Sequence, residues 1–312
     1  MNISVIITCH NEEKFIERCL RSVLNQTIFD SILEVIVVND SSTDDSQKIL
    51  DKIFLECSKI KIIKSSKKSI SNSRNKAINL VRGQYIAFLD GDDYWLNNKL
   101  ENQVNQFAKL DNDFGLIYTN VVEISEENNS KKIHVRNLND KKNQLLDYFL
   151  NDAPIFPSTI LIKSSVINHI GKFDENIKYY EDTDFNLRIL EKYKAYYLDD
   201  FSCFKQKHVN QVTNNLFDLI IYGDLVIDKA SKRNKNLFKL KRLRFARNRN
   251  KALIECIVKS YNKRIILRLI FQSLRYNFIN ITPWLAFILL MFPNEYNKKF
   301  IQFLKKNKND KY

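Results

Sequence analysis

Three carboxylates fall within four residues in Asp90-Gly91-Asp92-Asp93, directly after the apolar run Tyr85-Ile86-Ala87-Phe88-Leu89. Like charges held this closely repel, and a hard divalent cation bridging them to a phosphate relieves the repulsion. Gly91, with no side chain, lets the acids on either side of it converge on one ion. A solvated acidic turn after a strand is the plainer reading of the same residues. Two more polar clusters follow apolar runs, Thr8-Cys9-His10-Asn11-Glu12-Glu13 and Asn39-Asp40-Ser41-Ser42-Thr43-Asp44-Asp45. In the first, His10 offers a flat face to a stacked base, and Asn11 suits a helix cap. In the second, Ser42 or Thr43 reads as an N-cap, with Asp44 and Asp45 in the first helical turn. Asp40 sits at the end of the apolar run itself, where its carboxylate could accept the N–H of a pyrimidine.

The segments that must position these groups alternate in period. Ser4–Thr8 has strand character, and Phe15, Ile16, Cys19, Leu20, Val23 and Leu24 then share one helical face. Leu33–Val38 is followed by Leu50, Ile53 and Phe54 at helical spacing, and the short Ile60–Ile63 by a helix-like Ser71–Val81 that leads into Tyr85–Leu89. Strand and helix in alternation predict a mainly parallel α/β sheet with helices on both faces. Near-continuous apolar strands such as Val35-Ile36-Val37-Val38 fit burial on both sides. Ligands gather at the carboxyl ends of such strands, where the three clusters fall.

Ser4-Val5-Ile6-Ile7-Thr8-Cys9-His10-Asn11-Glu12, Ser22-Val23-Leu24-Asn25-Gln26-Thr27, the segment from Glu34 to Asp44 and the segment from Tyr85 to Asp93 together resemble a family 2 glycosyltransferase with the GT-A fold, in order and in spacing, over roughly residues 2–210. The resemblance implies a nucleotide-diphosphate sugar donor, most often a UDP-sugar. It places Thr8, His10, Asn11 and Asp40 at the nucleotide and Arg74 beside it, with a surface ion pair on a helix as the alternative for Arg74. Asp90 and Asp92 match the DXD motif: Asp92 is expected to coordinate Mn²⁺ or Mg²⁺, and Asp90 to contact ribose or the water shell of the ion. Asp93 is read either as a third member or as a cap for Tyr94-Trp95. Thr8 and Asn39 stand where the family frequently has Pro and Asp, and 67–73 is poorer in Gly than in many relatives.

Phe173-Asp174-Glu175 and Tyr179-Tyr180-Glu181-Asp182-Thr183-Asp184 resemble the acceptor-side block of the family, in which an acidic pair opens a helix. The resemblance implies inverting transfer, with Asp182 as the base that takes the acceptor hydroxyl proton and Glu181 orienting the acceptor. Carboxylates at a helix start are also favoured by the dipole alone. Asp184 is expected to point off the reacting face. His208 falls where relatives often carry a His that completes the metal site or donates to a phosphate, and a lone surface His is the other reading. His134 and His169 are read as structural.

Charge divides the chain. Residues 229–312 hold 22 Lys/Arg against 3 Asp/Glu, whereas 1–228 hold 28 against 33. We expect a GT-A catalytic domain over 1–212, with its nucleotide-sugar half at about 1–110 and its acceptor half at about 111–212, and a basic helical region over 213–312. That region carries Arg242, Arg244, Arg247, Arg249 and Lys251 on one helical stretch and the apolar run Trp284–Phe292. A spanning helix needs about 20 apolar residues, so this run fits a membrane interface instead. The expected partners are a nucleotide-sugar donor, a glycan or lipid-linked acceptor of surface polysaccharide synthesis and an anionic membrane surface, with oligomerisation through the helices open. A nucleic-acid- or acidic-polymer-binding protein is the alternative, but the tail shows no nucleic-acid motif and its aromatics are at helical spacing. A nucleotidyltransferase would carry a Gly-rich phosphate loop near its start, and the first Gly here is Gly83. Five cysteines without ligand-like spacing and a start that goes straight into a strand lead us to expect reduced thiols in a cytoplasmic, membrane-peripheral protein.

Overall fold

The computed structural model describes residues 2–135, 137–139, 142–151, 155–208, 216–258, 263–279 and 281–289. The chain divides into two units, 1–212 and 213–312. In the first, strands β1 (Ile3–Cys9), β2 (Ile32–Asp40), β3 (Ile60–Ser65) and β4 (Tyr85–Asp90) alternate with helices α1 (Ile16–Leu24), α2 (Ser46–Phe54) and α3 (Ile70–Ile78). β1 pairs in parallel with β2 and β4, and β2 with β3. The chain moves outward from β1 to β3 and returns to β4 on the far side of β1. The carboxyl ends of β1 and β4 therefore flank a switch point, the place where open α/β sheets bind ligands. Val5, Ile6 and Ile7 of β1 and Val35 to Val38 of β2 are buried, which is why these strands read as unbroken apolar runs.

Next come β5 (Tyr94–Trp95), α4 (Lys99–Phe107), β6 (Phe114–Ser125), β7 (Lys131–His134), α5 (Gln144–Asn151), β8 (Ile160–Lys163), α6 (Ser164–Ile170), α7 (Glu181–Leu190) and β9 (Lys194–Lys207). The sheet runs β3-β2-β1-β4-β8-β6-β9-β5, with β7 beside β6. It is the expected GT-A architecture, parallel from β3 to β4 and mixed beyond, because β8 runs antiparallel to both β4 and β6. α3 ends at Ile78, short of the expected Val81, and the chain re-enters the sheet through Gly83. A Cβ on Gly83 would lie 2.6 Å from the Ser4 nitrogen of β1, so only glycine fits.

The second unit is helical: α8 (Leu216–Arg233), α9 (Lys235–Val258), α10 (Lys263–Tyr276) and α11 (Ile281–Leu289). Leu253, Cys256, Ile266, Leu269 and Ile270 form its core. The basic residues of α9 do not share a face. Arg242 and Arg247 are exposed while Arg244 and Arg249 are buried, and Arg249 makes a two-pronged ion pair with Asp224. Residues two apart lie about 200° apart around a helix, so the run winds round it. Among the described residues no helix is long and apolar enough to cross a membrane, and 290–292 of the apolar run lie outside them. All five cysteines are free thiols.

Candidate active site

The loops after β1 and β2 are stapled together. Asn11 and Ser41 both take left-handed backbone (φ 59° each), which Asn tolerates better than most residues. The Asn11 side chain accepts from Thr43 N at 2.7 Å, and Asn11 N donates to Ser42 Oγ at 2.9 Å. Asn11 thus caps no helix: it joins two loops, and Phe15, the N-cap of α1, makes no side-chain cap bond. Nor do Ser42 and Thr43 cap α2. The N-cap, Asp45, makes no side-chain cap bond, and Asp44 before it accepts from Ser46 N at 3.0 Å and from Glu13 N at 3.0 Å.

Asp40, at the end of β2, accepts from Lys68 N (3.0 Å), Ser69 N (2.7 Å) and Ser73 Oγ (3.0 Å), and so holds the loop that opens α3. A carboxylate has about four lone-pair sites, so one remains on Oδ1. His10 Nδ1 lies 2.6 Å from the Asp40 carbonyl, which leaves its ring exposed at the crevice. Thr8 and Asp90 are direct partners across β1 and β4, with Thr8 Oγ1 at 3.4 Å from Asp90 Oδ1.

Arg74 on α3 is not a surface ion pair. It is 2% exposed, and its guanidinium reaches Asp90 Oδ1 and Glu181 Oε1, each at 2.8 Å. Burial of this cation is tolerable because both prongs meet carboxylates. The flanking polar residues of α3 bind the segment before α7: Asn72 Nδ2 donates to Glu175 (2.9 Å), and Asn75 Nδ2 to Glu175 (3.1 Å) and the Phe173 carbonyl (2.9 Å). α3 therefore fixes the acidic start of α7 against the end of β4. Sequence reasoning did not single out Asn72 or Asn75. The signal was a helix whose polar residues, Ser71 to Asn75, are too many for one solvent face.

Gly91 has no unusual φ. It is required because a Cβ would lie 2.8 Å from the Thr8 carbonyl, and its N–H donates to that carbonyl at 2.9 Å. The close approach sets Asp92 beside the loop after β1. Asp92 Oδ2 lies 3.3 Å from His208 Nε2, and ligand atoms of Glu12, Asp92 and His208 lie within 4.8 Å of one another. His208 is mostly buried, packed on the Phe15 ring, and so is no lone surface residue. Glu12 was missed from the sequence as a donor. Its Oε2 is buried without a hydrogen-bond partner, and burial, then Asp92 and Asp90, push its carboxyl up to about 9. A buried carboxylate oxygen lacking a partner, beside a second carboxylate and an imidazole, is a donor set that fits Mn²⁺ or Mg²⁺. A cleft of about 270 Å³ opens alongside, lined in part by Asn11, Phe15, Thr43 and His208.

Asp93 points away from this set and caps neither Tyr94 nor Trp95. It accepts from Ser158 Oγ at 2.6 Å and Gln206 N at 3.1 Å, with Lys205 Nζ at 3.9 Å. Burial pushes it up to about 8. It ties the end of β9 to the acidic turn, two residues before His208. Tyr180, left-handed at φ 64°, turns the chain into α7, at a cost of about 1–3 kcal/mol. Burial, reinforced by Asp182, raises Glu181 to about 7 against the pull of Arg74. Burial also raises Asp182, opposed by Arg74, and Asp182 Oδ1 accepts from Thr183 N at 2.7 Å. Asp184 is buried and paired with Arg188 at 2.8 Å, away from this pair. His134 contacts Glu123 and His169 contacts Tyr193, both outside the cluster.

Comparison with known proteins identifies the family. The chain is 37% identical over 127 residues to a chondroitin synthase of Escherichia coli, a match covering 41% of this chain and 18% of that one. It is 40% identical over 104 residues to the E. coli UDP-Glc:alpha-D-GlcNAc-diphosphoundecaprenol beta-1,3-glucosyltransferase WfaP, covering 33% of this chain and 40% of that one. Among solved structures, S. aureus TarS 1–349 in complex with UDP-GlcNAc superposes with a TM-score of 0.67 at 18% identity, covering 88% of this chain and 80% of that one. The profile described as Glycosyl transferase family 2 matches residues 4–171, the stretch that carries β1 to β4 and the acidic turn after β4. With that match over more than half its length, the chain belongs to glycosyltransferase family 2.

Proposed function

We propose that this chain moves a sugar from a nucleotide-diphosphate donor, a UDP-sugar first, to a hydroxyl of a glycan or lipid-linked acceptor in surface polysaccharide synthesis, with inversion. The observation that carries this reading is the convergence of two acidic groups, Asp90–Asp92 at the end of β4 and Glu181–Asp182 at the start of α7, joined by buried Arg74. The base is received by Thr8, the His10 ring and the free lone pair of Asp40. Asn11 holds that loop in place, and Asp90 meets the ribose side. In this reading residues 1–110 form the donor half and 111–212 the acceptor half.

Glu12, Asp92 and His208 would hold Mn²⁺ or Mg²⁺, and the ion would supply Lewis-acid stabilisation of the charge on the diphosphate leaving group. Asp182 takes the acceptor proton as the hydroxyl oxygen forms its bond to the anomeric carbon and the bond from that carbon to the diphosphate oxygen breaks. Its raised pKa makes its ionised form a stronger base. Glu181, held by Arg74, orients the acceptor. The basic second unit, with 22 Lys/Arg against 3 Asp/Glu over 229–312, lies against an anionic membrane surface. The support for both parts is the family membership and the site geometry for the first, and charge for the second.

The test is release of the nucleotide leaving group (UDP, GDP, dTDP or CMP) from a panel of UDP-, GDP-, dTDP- and CMP-sugars with Mn²⁺ or Mg²⁺. Turnover of one UDP-sugar that Asp182→Asn abolishes is the expected result. Binding of no nucleotide sugar under any metal condition overturns the reading.

A further inference from the structure

α10 turns Arg264, Arg268, Phe271 and Arg275 outward, at spacings of four, three and four residues and so along one face. Its other face, with Ile266, Leu269, Ile270 and Ser273, is buried. The chain then passes through Phe278 and Ile279, the latter 92% exposed, into α11, nine residues without a charge. Ala286 of α11 is buried, whereas Trp284, Leu285, Phe287 and Ile288 are exposed. The Phe278 and Trp284 rings meet edge-on at 5.2 Å, and Trp284 Nε1 donates to the Phe278 carbonyl at 3.1 Å. Turn and helix thus form one apolar patch. Arg242 of α9 donates to the Arg275 carbonyl at 3.2 Å, which brings a further guanidinium to its rim.

At nine residues α11 is about 13 Å long, far short of a hydrocarbon core of about 30 Å. A scattered set of exposed apolar residues needs no explanation, but a contiguous one bordered by arginines does. Nucleic acid would satisfy the arginines and leave Ile279, Leu285 and Ile288 against a polyphosphate. An anionic bilayer satisfies both, since its phosphates meet guanidinium groups and its upper acyl chains meet aromatic and aliphatic side chains.

We propose that the corner between α10 and α11 is a wedge that seats in an anionic phospholipid surface, with Phe278, Ile279, Trp284 and Ile288 below the headgroups and Arg242, Arg268 and Arg275 on the lipid phosphates. This rests on the membrane reading above and is independent of the glycosyl-transfer reading.

The chain has two tryptophans, and Trp95 is buried in the other unit, so a vesicle-induced emission change reports Trp284. The full-length protein is mixed with phosphatidylcholine vesicles with and without phosphatidylglycerol, some brominated on the acyl chains. The expected result is co-sedimentation with the anionic vesicles, a blue shift, and quenching by brominated chains that Trp284→Phe removes. Each arginine near the surface is worth about fivefold, so Arg268→Gln with Arg275→Gln weakens binding by about thirtyfold. Ile279→Ser, at a fully solvated position, is expected to weaken it without changing the circular dichroism. Co-sedimentation without quenching overturns the wedge and leaves the membrane reading standing. No co-sedimentation overturns both, and equal affinity for duplex DNA with no quenching overturns them in favour of a polyanion site.

Discussion

Arg74 joins Asp90 and Glu181, residues 16 and 107 positions from it in the chain, through two 2.8 Å contacts made by a side chain with almost no solvent exposure. The turn after β4 and the start of α7 are thereby held by one planar cation. Lysine, a point charge, cannot span two carboxylates in this way. Arg74→Ala leaves two buried acids uncompensated, and a loss of about 3–5 kcal/mol in denaturant unfolding is expected. Arg74→Lys should retain more stability than Arg74→Ala yet lose most turnover. Unchanged turnover in Arg74→Lys would show that the bridge is not needed for positioning.

Metal binding should depend on all three donors brought together at the β1 and β4 ends. Asp92→Asn, His208→Ala and Glu12→Gln are each expected to weaken Mn²⁺ binding by at least about tenfold, read as free Mn²⁺ by electron paramagnetic resonance. Glu12→Gln is the informative variant, since only the tertiary contact assigns it. Wild-type affinity in that variant removes Glu12 from the set. Chelation should also abolish turnover, and added Mn²⁺ should restore it.

Asp182→Asn should lower kcat by about 10²–10⁴-fold with donor affinity retained, as expected for loss of a general base. Because burial raises Asp182, the acid limb of the wild-type pH–rate profile should fall above the ordinary aspartate value of about 3.9. The base works ionised, so activity is lost as pH drops through that limb.

Lys99 is fully buried, with Nζ 2.8 Å from Gln103 Oε1 and 4.0 Å from the Trp95 ring centroid. Burial lowers its pKa to about 7. Between that value and about 10.4 the unfolded chain holds a proton that the folded chain lacks, so this residue makes stability rise with pH across the window. Lys99→Met should therefore be more stable than wild type at neutral pH, with the gap closing as pH approaches 10. Parallel unfolding curves at the two pH values check this, and a pH-independent difference would contradict it.

Much of this protein was legible along the chain. Strands buried on both faces produce unbroken apolar runs, and the acids that follow them stand at strand ends whatever the sheet order. Asp92, Asp182 and His208 became candidates in this way, through their place after a strand or at a helix start and through the family pattern. Asn11 and Asp93, both open to a capping reading, have distant partners instead. A cap is a contact within a few residues, whereas Asn11 bonds to Thr43 and Asp93 to Ser158 and Gln206.

The sequence by itself determined the elements, the family and the acidic turn, because periodicity and turn chemistry act over a few residues. The tertiary structure decided what those residues touch. Returning β4 to the far side of β1 places Gly91 against Thr8 and so sets Asp92 beside Glu12, and the tie from Asp93 to β9 brings in His208. Residues 12, 92 and 208 share no local pattern, and their proximity follows from strand order and close packing, which no window of the chain encodes.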